Sequence, residues 1–163
     1  MNIGDKYVLK ALDNYPYYLE ETLESLSYAL SYEGSNTMAL CLMGRIYAEQ
    51  LKNFEQARNY FLDALTHNVY AIEIYPHYIQ LLTDLEEFES AEKTIDFALT
   101  LKGINKSEIL YKKVLLFEKK LNYKSALKTL KLLNKQIIPV ELDVDLSSIR
   151  SRLKKKMGKK NTK

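Results

Sequence analysis

The 163-residue sequence is poor in the residues that bend, cross-link or ligate: it has one Cys, three Pro, five Gly, two His and no Trp. Each scarcity excludes something. A lone Cys41 cannot form an intramolecular disulfide or a Cys-rich zinc site, and it fits a reducing compartment. Eight Gly and Pro residues in all are too few to punctuate a many-stranded sheet. No apolar run approaches the roughly 18 residues that a membrane-spanning helix needs. Met1-Asn2-Ile3-Gly4-Asp5-Lys6 is charged where a signal peptide is apolar. The expectation is a soluble, cytoplasmic protein. There is also no Gly-rich phosphate loop, nucleophile elbow or paired-carboxylate motif, so neither a cofactor nor an enzymatic activity is expected.

What is present is hydrophobic content of 47%, enough to exclude wholesale disorder, in a length that buries roughly two-thirds of its unfolded surface as one domain. The formal net charge is +3, but it is unevenly spread. Residues 1–101 carry 6 Lys and Arg against 16 Asp and Glu, a net of −10, whereas residues 102–163 carry 18 against 5, a net of +13. The chain is electrically dipolar.

Apolar residues recur at three- and four-residue steps through most of the chain, which predicts amphipathic helices. The predicted helices cover residues 3–14, 17–32, 37–51, 54–65, 71–85, 88–101, 107–121 and 123–135. The breaks between them are short, so consecutive helices pack antiparallel. Phe54-Glu55-Gln56-Ala57, Phe88-Glu89-Ser90-Ala91 and Tyr123-Lys124-Ser125-Ala126 align with their alanines 34 and 35 residues apart. A large residue followed one turn later by a small one lets two helix axes approach. Gly44 reads as the matching small site on a first helix, because a mid-helix Gly costs about 1 kcal/mol against Ala.

These residues resemble the tetratricopeptide repeat family. The best copy is 37–69, with Leu40, Met43-Gly44, Tyr47, Ala57, Phe61 and Ala64. The copy at 71–104 has Tyr75, Tyr78-Ile79, Leu82, Ala91, Ile95 and Ala98, and that at 107–138 has Leu110, Val114, Phe117, Ala126, Leu130 and Leu133. Residues 3–34 read as a degenerate first pair. The usual closing proline is missing from each copy, the 37–69 copy has one extra residue in its internal turn, and Lys113 stands where an apolar residue is usual. The resemblance implies an all-α, antiparallel helix-hairpin solenoid of three to four repeats over residues 1–138. Residues 139–157 are expected to form a capping helix, with Leu142, Leu146, Ile149, Leu153 and Met157 on one stripe, and residues 158–163 a basic flexible tail.

The same resemblance implies a non-enzymatic scaffold that binds a protein or peptide on a concave face lined by the first helices. Residues there pointing away from the packing stripe are Met38, Cys41, Arg45 and Glu49, then Glu73, His77, Gln80 and Asp84, then Glu108, Tyr111, Lys112 and Lys119. The chosen groove set is Arg45, Glu49, His77, Gln80, Asp84, Tyr111, Lys112 and Lys119. Family members that hold a C-terminal carboxylate use a clamp of Lys, Asn and Arg, and only Lys112 matches one of those positions. Outside the resemblance, the basic half has three readings: solubility alone, a polyanion site centred on Arg150, Arg152, Lys154, Lys155 and Lys156, or an acidic partner, including the acidic half of a second copy. The polyanion reading makes a nucleic-acid-associated protein the alternative function. Glu73 and His77, four apart, are a poor metal pair, and no metal is expected.

Overall fold

The computed structural model describes residues 2–136 and 145–160, all-helical apart from turns and connections. Among the described residues nine α-helices run α1 (Ile3–Asn14), α2 (Leu19–Tyr32), α3 (Thr37–Arg45), α4 (Phe54–His67), α5 (Tyr75–Asp84), α6 (Phe88–Ala98), α7 (Lys106–Lys119), α8 (Tyr123–Leu133) and α9 (Leu146–Lys160). A π-turn at Ile46–Gln50 extends α3, and a 3-10 turn at Ile72–Ile74 precedes α5. Among the described residues no helix is long and apolar enough to cross a membrane. The expected start of the capping segment, with Leu142, and the last three residues of the expected tail lie outside the described residues. α9 itself runs through Gly158 to Lys160, past the expected end at Met157.

Asparagine sets most of the helix starts. The side chains of Asn2, Asn36, Asn53, Asn105 and Asn122 accept a backbone N–H in the first turns of α1, α3, α4, α7 and α8. Each such cap is worth about 1 kcal/mol relative to Ala. Asn2 and Asp5 form a reciprocal box, with contacts of 2.8 and 2.9 Å. Asp145 does the same for α9 by accepting from the N–H groups of Ser147 and Ser148.

The turns after α5 and α7 share one geometry. Glu86 N–H bonds Thr83 O at 3.2 Å and Glu87 N–H bonds Leu82 O at 2.9 Å, with Glu86 at φ 61°. Leu121 N–H bonds Glu118 O at 3.0 Å and Asn122 N–H bonds Phe117 O at 2.8 Å, with Leu121 at φ 59°. Both are Schellman closures with a left-handed residue that is not glycine. The turn before α4 also has a left-handed residue, Lys52 at φ 54°, but there Asn53 N–H reaches Tyr47 O, one residue further back. The extra residue anticipated in this copy is absorbed by the π-turn, where Leu51 N–H bonds Ile46 O at 3.0 Å. That widened turn rotates the register. Leu51, at the end of the helix expected over residues 37–51, is 44% exposed.

The chain divides into two compact units, Met1–Leu81 and Leu82–Lys163. In the first, α1 packs on α2, α3 on both, and α4 on α3. Its core joins Val8, Ala11, Leu26, Ala29, Ala39, Leu42, Met43 and Ile46. Gly44 meets the ring of Phe61 so closely that an added Cβ would lie 2.7 Å from it. In the second, α7 packs on α6 and α8, and α9 on α8, around Leu110, Val114, Ala126, Leu130, Leu133, Ile149 and Leu153. The alanines Ala57, Ala91 and Ala126 are wholly buried, as close helix contact requires. Met157, expected on the α9 stripe, lies at its exposed edge.

Candidate functional site

In the first unit three of the expected groove residues meet at one carboxylate. Glu49, on the π-turn, lies 3.6 Å from Arg45 Nε one turn earlier and 3.6 Å from His77 Nδ1 on α5. Tyr15, on the connection between α1 and α2, donates its hydroxyl to Glu49 Oε2 and lies under the Arg45 guanidinium, 4.8 Å from the ring centroid. Arg45 Nε is buried and has no hydrogen-bond acceptor among the described residues. The hydrogen bond from His77 holds the Glu49 carboxyl down at about 2, against its burial and with help from Tyr15 and the nearby charges. Burial, then the bond to Glu49, pushes the Tyr15 phenol up to about 12.

Neither group exchanges protons near neutral pH, where general acid–base work requires it. The same holds for Cys41. It was placed among the outward residues, but it is 4% exposed, its Sγ lies 3.6 Å from Glu73 O, and burial pushes its thiol up to about 12. The reason is that α3 is buried along all of Ala39–Gly44, so it has no solvent stripe at position 41. Glu73 accepts from Thr37 Oγ1 at 3.2 Å while His77 turns to Glu49, so the two do not converge as a metal pair. Gln80 is half-buried on the same helix as His77.

In the second unit two of the remaining groove residues, Tyr111 and Lys119, make contacts within the chain. Tyr111 sits against the α7–α8–α9 core. Lys119 Nζ donates to Thr83 O and Asp84 O, each at 3.0 Å, and so ties α7 to the end of α5. Lys112 is half-buried and Asp84 exposed.

The basic stretch is also partly committed. Arg152 forks onto Glu118 at 2.9 and 2.8 Å, and Lys156 reaches the same carboxylate at 2.7 Å. Burial pushes the Glu118 carboxyl up, but these two cations outweigh it and hold it below its usual range. Lys113 pairs with Asp96 and Lys120 with Glu92, both at 2.7 Å. Lys113 thus occupies an apolar position of the resembling pattern because an acid on α6 receives it. Arg150, Lys154 and Lys155 are exposed on α9.

No protein-family model matches the chain, and no curated protein matches it. Two residues central to these clusters, Tyr15 and Glu118, were not among the sequence candidates. Each lies 34 residues from a partner, Tyr15 from Glu49 and Glu118 from Arg152, a separation that spacing along one helix does not reveal.

Proposed function

We propose that this chain is a non-enzymatic helical-repeat adaptor of the tetratricopeptide type, a cytoplasmic protein that holds a protein or peptide partner on the surface of its first helices. The observation that carries this reading is the recurrence of one hairpin design. Left-handed residues at Lys52, Glu86 and Leu121 and buried alanines at Ala57, Ala91 and Ala126 repeat in register. Such arrays present preformed surfaces rather than reaction centres. The Tyr15, Arg45, Glu49 and His77 cluster supports a binding role, because its carboxylate and phenol are fixed in one protonation state near neutral pH.

The recognition mechanism is a rigid polar platform. Arg45 offers a guanidinium held over Tyr15 with its Nε buried 3.6 Å from Glu49, and His77 on α5 meets the same carboxylate. A partner segment carrying a carbonyl or carboxylate gains without an ordering cost on this side. The nucleic-acid alternative has fewer cations to draw on than the sequence count, since Arg152 and Lys156 are held by Glu118.

The test is affinity purification from the source cells at low and high salt, with the wild-type chain beside His77→Ala and Arg45→Ala variants of unchanged helix content. A protein partner captured by the wild type and lost from both variants supports the reading. Recovery of nucleic acid alone, or a partner indifferent to both variants, overturns it.

A further inference from the structure

The first unit contains an open cavity of about 840 Å³, lined by Met38 and Glu73 of the concave-face residues but by none of the narrower groove set. Asp5, Glu33 and Glu73 stand in its wall, and Val8, Leu9 and Met38 supply apolar surface. Among the described residues no Lys or Arg lines it, and His67, its one basic side chain, pairs with Asp63. Among the described residues the three carboxylates accept from neutral donors: Asp5 from the Asn2 backbone, Glu33 from Asn2 and Asn36, and Glu73 from Thr37. Leu9 is 47% and Met38 45% exposed, so these two side chains leave apolar surface open to solvent beside the carboxylates. A matching occupant is long, basic and partly apolar.

The second unit carries that surface. On α9, Ile149 and Leu153 face the core and Arg152 and Lys156 are held by Glu118. Arg150, Lys154 and Met157, at steps of four and three, form an exposed stripe on the side of the helix away from Arg152. This is the i, i+4, i+7 pattern by which a helix presents anchors to a groove. Two basic side chains with long methylene stems and one methionine suit acidic walls over an apolar floor.

We infer that the acid-lined cavity of one copy receives the Arg150, Lys154 and Met157 face of α9 from a second copy, so that the protein self-associates head to tail. The two surfaces differ, so the contact is heterologous: each pair keeps one free cavity and one free α9, and assembly extends into rings or chains. This inference does not depend on the adaptor reading.

The experiment is analytical ultracentrifugation of the full chain over a range of concentrations in low salt and in about 1 M salt, where the screening length falls to ~3 Å. Expected is a mass that rises with concentration in low salt and reverts to monomer in high salt. Arg150→Glu with Lys154→Glu, and separately Glu33→Lys with Glu73→Lys, should each stay monomeric. Mixed together in equal amounts they should associate again in alternation, because a native α9 meets a native cavity at one contact and a reversed α9 meets a reversed cavity at the next. The chain with all four reversals should associate again. Glu33→Gln with Glu73→Gln serves as the milder variant, and circular dichroism confirms that each variant folds. A wild-type chain monomeric at every concentration overturns the inference, even if it binds a lysine-rich peptide. So does association that survives either charge reversal.

Discussion

The ring of Phe61 on α4 fills the space that a side chain at Gly44 on α3 would need, with three ring atoms within 2.7 to 2.9 Å of an added Cβ. Phe61 is wholly buried, so its ring has no solvent to move into. Gly44→Ala gains about 1 kcal/mol of helix propensity but incurs the larger cost of overpacking. A net loss of about 1–2 kcal/mol is expected in urea denaturation. Combining it with Phe61→Leu should cost less than the two changes summed, since one relieves the other. A Gly44→Ala variant as stable as the wild type refutes the close-packing account.

Glu49 should impose a pH dependence with a defined sign. Its carboxyl is lowered from 4.5 to about 2 in the folded chain, so the unfolded chain takes up the proton first. The stabilisation is complete above pH 4.5 and is lost as the pH falls towards 2. Glu49→Gln should flatten that part of the acid limb in melts recorded across the range. At the other end, Tyr15 is raised from 10.0 to about 12, so its contribution is complete below pH 10 and is lost as the pH rises through 12. Tyr15→Phe should remove that part of the alkaline limb, leaving the shares of Cys41, which runs from 9.0 to about 12, and of Tyr60 and Tyr75, whose phenols burial also pushes up.

Glu118 holds α9 through two cations that are each nearly half exposed, at 45% and 46%, while its own side chain is 11% exposed. Glu118→Gln should cost about 1–2 kcal/mol, below the full value of a buried pair because water screens the cations. Hydrogen exchange is the sharper readout. The α9 amides should lose protection while those of α1 and α2 stay unchanged, and equal protection throughout would show that apolar packing alone seats the helix.

The left-handed residues at the turns are a reserve of stability. Glu86 adopts φ 61° in the turn before α6 and is exposed. A non-glycine residue in this region costs roughly 1–2 kcal/mol, offset in part by the greater chain entropy of glycine when unfolded. Glu86→Gly should therefore stabilise by up to about 1 kcal/mol, and Glu86→Val should destabilise. Paired thermal melts decide it, and the opposite order would contradict the turn geometry.

Cys41 makes a built-in reporter. Its burial and raised thiol predict slow modification by thiol reagents in the folded chain and fast modification in denaturant. Labelling rates across a urea series should follow global unfolding. Rapid labelling in native buffer would mean that α3 opens on its own.

Much of the helical layout was legible because apolar periodicity is a local property of the chain. The helix pairs, the small residues at 57, 91 and 126 and the packing role of Gly44 all follow from spacing and size. The asparagines at 53 and 122 were legible as breaks, although their chemistry is that of caps for the helix that follows.

What the sequence by itself determined is the all-helical layout, the 34- and 35-residue period and the opposite charge of the two halves. Tertiary structure alone decided which charges are spent. Glu118 with Arg152, Glu49 with Tyr15 and Lys113 with Asp96 each join different segments of the chain. A charge count adds such residues without regard to their partners, and spacing along one helix cannot see a side chain arriving from another. The π-turn after α3 acts in the same way. One added residue rotates everything beyond it, turning Leu51 outward and bringing Glu49 to His77, an outcome set by the backbone hydrogen bonds of the folded turn and not by the pattern of side chains.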